Sequence, residues 1–180
     1  WPGVTRAVGD LAGDLQRVTG QRPKMVHQPE ATGPNVVIIG TIGQSQLIDE
    51  LIASKKIDVN GIRGKWDAYQ ISVVQNPTPK IRQALVIVGS DKRGTSDGIY
   101  DLTEQIGVSP WYWWADVPVK KKSAIYIAKN TLVQEMPKVK YRGIFLNDEA
   151  PALTNWVKKN YGNYNHEFYE KVFELLLRLK

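Results

Sequence analysis

The chain has no cysteine. Disulfides, thiolate metal sites and cysteine nucleophiles are thereby excluded. Histidine is almost as scarce: His27 and His166 lie far apart, and no metal-ligand spacing links them to each other or to other ligands. No metal and no cofactor are expected. No apolar run approaches the roughly 18 residues that a spanning helix needs, so no membrane partner is expected. No signal peptide is visible in the chain. Blocks of one charge are missing too. The net charge is +6 and the pI near 9.4, which favours acidic partners, but the basic residues are scattered over the sequence. The one short basic run, Lys120-Lys121-Lys122, sits between apolar segments and reads as a solvated turn, not a nucleic-acid arm. No nucleic-acid partner is expected. Two nucleotide-loop signatures are also incomplete. Gly40-Thr41-Ile42-Gly43 lacks a third glycine and a downstream acidic ribose partner, and the glycine of Ser90-Asp91-Lys92-Arg93-Gly94-Thr95 follows its lysine instead of preceding it.

What is present is an ordinary globular composition, 42% apolar and 23% charged over 180 residues, enough for one or two domains. Fold class must come from the order of elements. Pro2 suits a helix start, and Val4, Val8, Leu11, Leu15 and Val18 mark one helical face. Gly20 closes that helix. Gly9 and Gly13 lie inside it, which suggests close packing on a sheet or simple tolerance. Arg22 to His27 reads as a short strand. Val36 to Ile39 reads as a strand buried on both faces, followed by a helix with Leu47, Ile48, Leu51 and Ile52 inward. Trp66 to Val74 alternates, with Tyr69, Ile71 and Val73 on one face. A turn is expected over Asn76–Pro79, a second buried strand over Ala84–Val88, a polar loop over Gly89–Gly98 and a short helix over Ile99–Ile106. A strand is expected over Ser123–Ala128. Glu135-Met136-Pro137-Lys138 reads as a linker, giving domains 1–137 and 138–180. The alternating elements predict an α/β sandwich for the first.

The second begins with Tyr141-Arg142-Gly143-Ile144-Phe145-Leu146-Asn147-Asp148-Glu149-Ala150-Pro151. An apolar strand, predicted over Arg142–Leu146, runs into three polar residues and a helix-starting proline. Barrel strands of (β/α)8 enzymes deliver reactive groups to the open end in this way. A short helix over Pro151–Lys159 follows, with Leu153, Trp156 and Val157 on one face. A last helix, capped by Asn163 or Asn165, carries a stripe of Phe168, Val172, Phe173, Leu175, Leu176 and Leu179. Glu167 with Lys171, and Glu174 with Arg178, have the favourable i,i+4 orientation.

Three constellations carry chemistry. Asp148 and Glu149 suggest acid/base work on a glycoside, but successive residues of an extended chain point to opposite faces. Glycosidase carboxylates must face each other across the sugar, about 5 to 9.5 Å apart, so at most one of these two reaches the reacting bond. They serve equally well as helix-entry acids. Lys92 and Arg93, at the mouth of a buried strand, suit a carboxylate ligand, or a solvated loop. In Trp111-Tyr112-Trp113-Trp114, exposed indoles suit sugars, with Trp114 or Tyr112 as ligand contacts and Trp111 and Trp113 as interface plugs.

At these motifs the chain resembles glycoside hydrolase family 115, the xylan α-1,2-glucuronidases. The resemblance rests on Gly89 to Thr95 with Gly98-Ile99-Tyr100-Asp101, on Glu104 to Pro118, and on Tyr141 to Pro151. It implies a small N-terminal α/β sandwich followed by the first strand and helix of a (β/α)8 barrel. It implies an inverting hydrolase that removes glucuronic or 4-O-methylglucuronic acid from xylan, with glucuronoxylan or aldouronic acid oligosaccharides as partners, and an exported parent protein. Asp148 would be the catalytic or assisting carboxylate of this part, with the main acid and base elsewhere. Lys92, Arg93, Asn147, Glu149 and Trp114 would bind substrate. Arg142 joins them because Tyr141-Arg142-Gly143 before Asp148 also resembles family 20 hexosaminidases, whose strand arginine holds sugar hydroxyls. Truncation of the barrel would leave this part inert alone. The competing reading is a free-standing carbohydrate-binding module without catalysis.

Overall fold

The structure is a computed structural model and describes residues 1–27 and 35–180. The chain forms two compact units, Trp1–Lys138 and Val139–Lys180.

In the first unit the described elements are α1 (Pro2–Thr19), β1 (Val36–Thr41), α2 (Gln46–Ala53), β2 (Tyr69–Thr78), β3 (Ile81–Gly89), α3 (Lys92–Ile106) and β4 (Leu132–Glu135). The strands make one mixed sheet in the order β1-β3-β2-β4. β1 runs parallel to β3, from Val36 opposite Ala84 to Thr41 opposite Gly89. β2 is antiparallel to both β3 and β4. Because side chains alternate along a strand, the central strands bury both faces. On one face Ile38, Val74, Ala84, Val86 and Val88 pack with Ile48 and Leu51 of α2 and with Ile57, Val59 and Ile62. On the other, Tyr69, Ile71 and Ile87 meet α3, and α1 packs outside α3.

α1, β1 and α2 lie where periodicity predicted them. Gly20 caps α1 in the left-handed conformation, at φ 80°. Gly9 needs a different account: α1 packs on α3 and not on the sheet, and a Cβ at Gly9 would meet nothing within 4 Å. The close approaches are made by α3. This helix begins at Lys92, inside the segment predicted as a loop, because Asp91 caps it. A Cβ at Gly94 would collide with the Ala68 carbonyl, and one at Gly98 would stand 2.9 Å from Ile87 Cγ2 and 3.0 Å from the Tyr69 ring. Both glycines let the helix lie flat on the sheet.

Other expectations shift. Arg22–His27 forms no strand. β2 continues through the predicted Asn76–Pro79 turn to Thr78, with an irregular register between Gln75 and Thr78 and Asn76 at φ 48°. The fourth strand is Leu132–Glu135 and not Ser123–Ala128, so Glu135, read as linker, ends β4. The physical reason is competition for one edge. β2 offers one free ladder, and Leu132–Glu135 fills it opposite Tyr69–Ser72.

The second unit holds α4 (Ala152–Tyr161) and α5 (His166–Arg178). Asn165 caps α5, its side chain accepting from Phe168 N at 3.1 Å. Val157, Phe168, Val172 and Leu175 are buried. Tyr161 and Tyr164 edge onto Phe168, at ring separations of 5.8 and 5.3 Å. Phe173 of the predicted stripe stays exposed. Residues 142–146, predicted as the next strand, join no ladder among the described residues.

Candidate functional site

In the first unit the predicted polar residues converge where β1 and β3 end side by side. β1 leads into α2 on one face of the sheet and β3 into α3 on the other. Adjacent parallel strands whose connections part in this way leave a crevice at their carboxyl ends, the usual ligand position in open α/β sheets.

Ser90 and Asp91 tie this end of the sheet together by accepting hydrogen bonds. Asp91 Oδ1 accepts from the backbone N–H groups of Arg93 at 3.0 Å and Gly94 at 2.8 Å, and Oδ2 accepts from Asp67 N at 2.8 Å. Ser90 Oγ accepts from Ala68 N at 3.0 Å. The buried hydroxyls of Thr41 and Thr95 lie 2.6 Å apart and tie the end of β1 to α3. Asp67, with φ at 50°, is buried and pairs with Arg93 through Nη2 at 3.4 Å. Lys92 projects to the other side, its Nζ 5.7 Å from the centre of the Trp1 ring. Both Lys92 and Arg93 are exposed. The structure thus puts them at the mouth of the sheet, as predicted, but on a helix turn and with different neighbours.

Sequence reasoning missed Trp1, Asp67 and Asp91 as parts of this site. Asp91 carried a readable signal, a cap residue before a helix, masked by the glycines that follow. Trp1 and Asp67 gave none, since only tertiary packing brings them to α3.

The aromatic run divides. Trp111 is exposed; Trp113 and Trp114 are half-buried and meet edge to face at 4.9 Å. Tyr112 packs against Arg17, whose guanidinium lies 4.6 Å from the ring centre and bonds the fully buried Asp14 at 2.8 Å. Behind the site, Tyr69 donates to Glu135 Oε2 at 3.3 Å. Burial pushes its phenol well above the ordinary range, and the nearby charges of Asp101, Glu135 and Asp97 push it further. A groove of about 420 Å³ lies elsewhere, between α2 and the β2–β3 turn, lined by Leu47, Leu51, Pro77, Thr78 and Lys80 among others. It contains none of the predicted site residues.

In the second unit, Asn147, Asp148 and Glu149 form an exposed turn before α4. Asn147 Oδ1 accepts from Glu149 N at 3.2 Å. The Asp148 carbonyl accepts from the Thr154 hydroxyl and, at 3.1 Å, from the Tyr164 phenol. The turn is therefore held through its backbone, with both carboxylates at the surface. Arg142 donates through Nε to the Lys180 carbonyl and through Nη1 to the Val139 carbonyl, each at 2.7 Å. These bonds fix the guanidinium on main chain. Among the described residues no cluster of three or more His, Cys, Asp or Glu could hold a metal ion, and no helix is long and apolar enough to cross a membrane.

Comparison with known proteins supplies the class. The profile of glycosyl hydrolase family 115 matches residues 134–180. A solved structure, described as a novel family GH115 4-O-methyl-alpha-glucuronidase with specificity for decorated arabinogalactans, is 36% identical to this chain, with a TM-score of 0.80. The alignment covers 99% of this chain and 22% of that one, so the chain spans about a fifth of its relative's length. No protein of curated function matches. The mixed sheet and the units around it are thus similar to part of a glycoside hydrolase. The chain belongs to glycoside hydrolase family 115.

Proposed function

We propose that this chain is the N-terminal part of an inverting glycoside hydrolase that removes glucuronic or 4-O-methylglucuronic acid side chains from a polysaccharide, xylan by the family resemblance. The observation that carries the reading is the 36% identity to a 4-O-methyl-alpha-glucuronidase over 99% of this chain. That relative's specificity for decorated arabinogalactans makes arabinogalactan the competing backbone.

Inversion needs one carboxylic acid on the leaving oxygen and one carboxylate activating water, about 6.5 to 9.5 Å apart across the sugar. Asp148 and Glu149 are sequence neighbours on one exposed turn, and a water and a sugar ring do not fit between them. In our reading Asp148 is an assisting carboxylate at the end of a first barrel strand, residues 138–180 open the (β/α)8 barrel, and the main acid and base come from later sequence. The chain alone is then inert. Asn147 and Glu149 flank the substrate, and Lys92, Arg93 and Trp114 serve recognition.

The test is release of 4-O-methylglucuronic acid, followed by proton NMR so that the first anomer formed is seen. A protein extended to the relatives' length should release the β-anomer from aldouronic acid oligosaccharides or from a decorated arabinogalactan, and Asp148→Asn should slow it about 10- to 100-fold, the scale of one lost charged hydrogen bond. No release by the extended protein would overturn the assignment. Turnover by the 180-residue chain itself would overturn the claim that its carboxylates need counterparts.

A further inference from the structure

We propose that Thr154 and Tyr164 are positioning residues for Asp148: their hydroxyls hold the turn that carries its carboxylate through one main-chain oxygen. The proposal rests on the assisting role given to Asp148 above. The geometry behind it lies wholly within the second unit.

Two hydroxyls from different places in the chain converge on one carbonyl. Thr154 of α4 and Tyr164, between α4 and α5, both reach the Asp148 oxygen, the phenol at 3.1 Å. The two hydroxyl oxygens lie 3.0 Å apart. Loss of either leaves the other able to donate, and only loss of both leaves the carbonyl without a side-chain donor. Tyr164 is itself fixed by the core of the unit. Its ring meets the fully buried Phe168 edge to face at 5.3 Å and Tyr169 at 6.3 Å, and its N–H donates to Asn163 Oδ1 at 2.8 Å. The packed side of α5 is thereby linked to a surface turn 16 residues upstream.

The peptide unit between Asp148 and Glu149 is bonded at both ends. Its carbonyl takes the two hydroxyls, and its N–H, that of Glu149, donates to Asn147 Oδ1 at 3.2 Å. The plane of that peptide is fixed, and with it the backbone from which the Asp148 side chain departs. The carboxylate itself is treated differently. Among the described residues nothing hydrogen-bonds or pairs with it. Its charge stays available to a substrate hydroxyl, and its aim depends on the turn alone. Groups that act on a substrate need such a supporting shell, since a misplacement of about 1 Å costs on the order of 100-fold in rate.

The experiment is a mutant cycle in the protein extended to the relatives' length, with kcat and KM measured on aldouronic acid oligosaccharides. Tyr164→Phe keeps the ring on Phe168 and Thr154→Val keeps the side-chain shape. Each should lower kcat about 2- to 10-fold, the scale of one neutral hydrogen bond, with KM little changed. The paired variant should lose more than the product of the two, and no more than Asp148→Asn loses. Thr154→Ser, which keeps the hydroxyl, should restore the rate. In an Asp148→Asn background the paired substitution should cost nothing further, whereas a merely structural role would cost the same in both backgrounds. Equal losses in the two backgrounds, or a paired variant as fast as the parent, would overturn the proposal. A second readout uses the 180-residue chain. Amide hydrogen exchange at Glu149 should speed in the paired variant while that of Phe168 stays as it was; unchanged exchange at Glu149 would overturn the positioning and leave the role of Asp148 standing. An Asp148→Asn rate equal to the parent's, with Glu149 exchange accelerated, would overturn the assisting role and leave the hydroxyl pair as a fixture of the turn only.

Discussion

The backbone N–H of Asp67 donates to Asp91 Oδ2 at 2.8 Å, while Oδ1 of the same carboxylate caps α3 through Arg93 and Gly94. One side chain thus anchors the approach to β2 and starts the helix that carries Lys92 and Arg93. Asp91→Ala should destabilise the chain by about 2 kcal/mol, the upper range for loss of an N-cap, because a third donor loses its acceptor as well. Asp91→Asn, which keeps one acceptor oxygen, should recover about half. Urea denaturation followed by far-UV circular dichroism measures both.

Two helical glycines should respond oppositely to alanine. At Gly9 the added methyl meets open space, so Gly9→Ala should stabilise by about 0.5 to 1 kcal/mol through helix propensity. At Gly98 it stands 2.9 Å from Ile87 Cγ2, so Gly98→Ala should destabilise by about 1 to 3 kcal/mol through overpacking. Thermal melts of the two variants decide, and equal signs would contradict the packing described.

Tyr69 sets an alkaline limit. Its folded pKa is raised by burial and by the charges of Asp101, Glu135 and Asp97, whereas an unfolded tyrosine ionises near pH 10. Below about pH 10 both states hold the proton and stability does not depend on it. Above that value the unfolded state loses it first, so stability falls as pH rises, with a slope approaching about 1.4 kcal/mol per pH unit. Tyr69→Phe should remove that part of the slope between about pH 10 and 11.5, measured as denaturation midpoints against pH.

The second unit buries an ion pair. Arg178 Nε lies 2.9 Å from Glu174 Oε1, with side chains 2% and 8% exposed, and Lys171 reaches the other oxygen at 3.6 Å. Glu174→Ala takes the carboxylate from a buried guanidinium and should destabilise by about 3 kcal/mol. Glu174→Gln, which keeps the hydrogen-bond acceptor, should lose less. Calorimetric melts compare the two.

The chain's own pattern determined α1, β1, α2 and the inward face of β2, because each is written in local periodicity; it offered Asn163 or Asn165 as the cap of the last helix, and the structure chose Asn165. The pattern also carried the motifs of its family. The start of α3 was only half legible, because the glycines that follow obscured the cap signal of Asp91. Gly94 and Gly98 look like a loop in sequence, yet they are the residues that let backbone and helix touch. Tertiary structure likewise chose Leu132–Glu135 over Ser123–Ala128, since either can extend but one ladder position beside β2 was open. It also set Trp1 against Lys92 and Asp67 against Arg93. Periodicity reports which face of an element is apolar; which charges become neighbours depends on how elements far apart in sequence pack, and no local pattern encodes that.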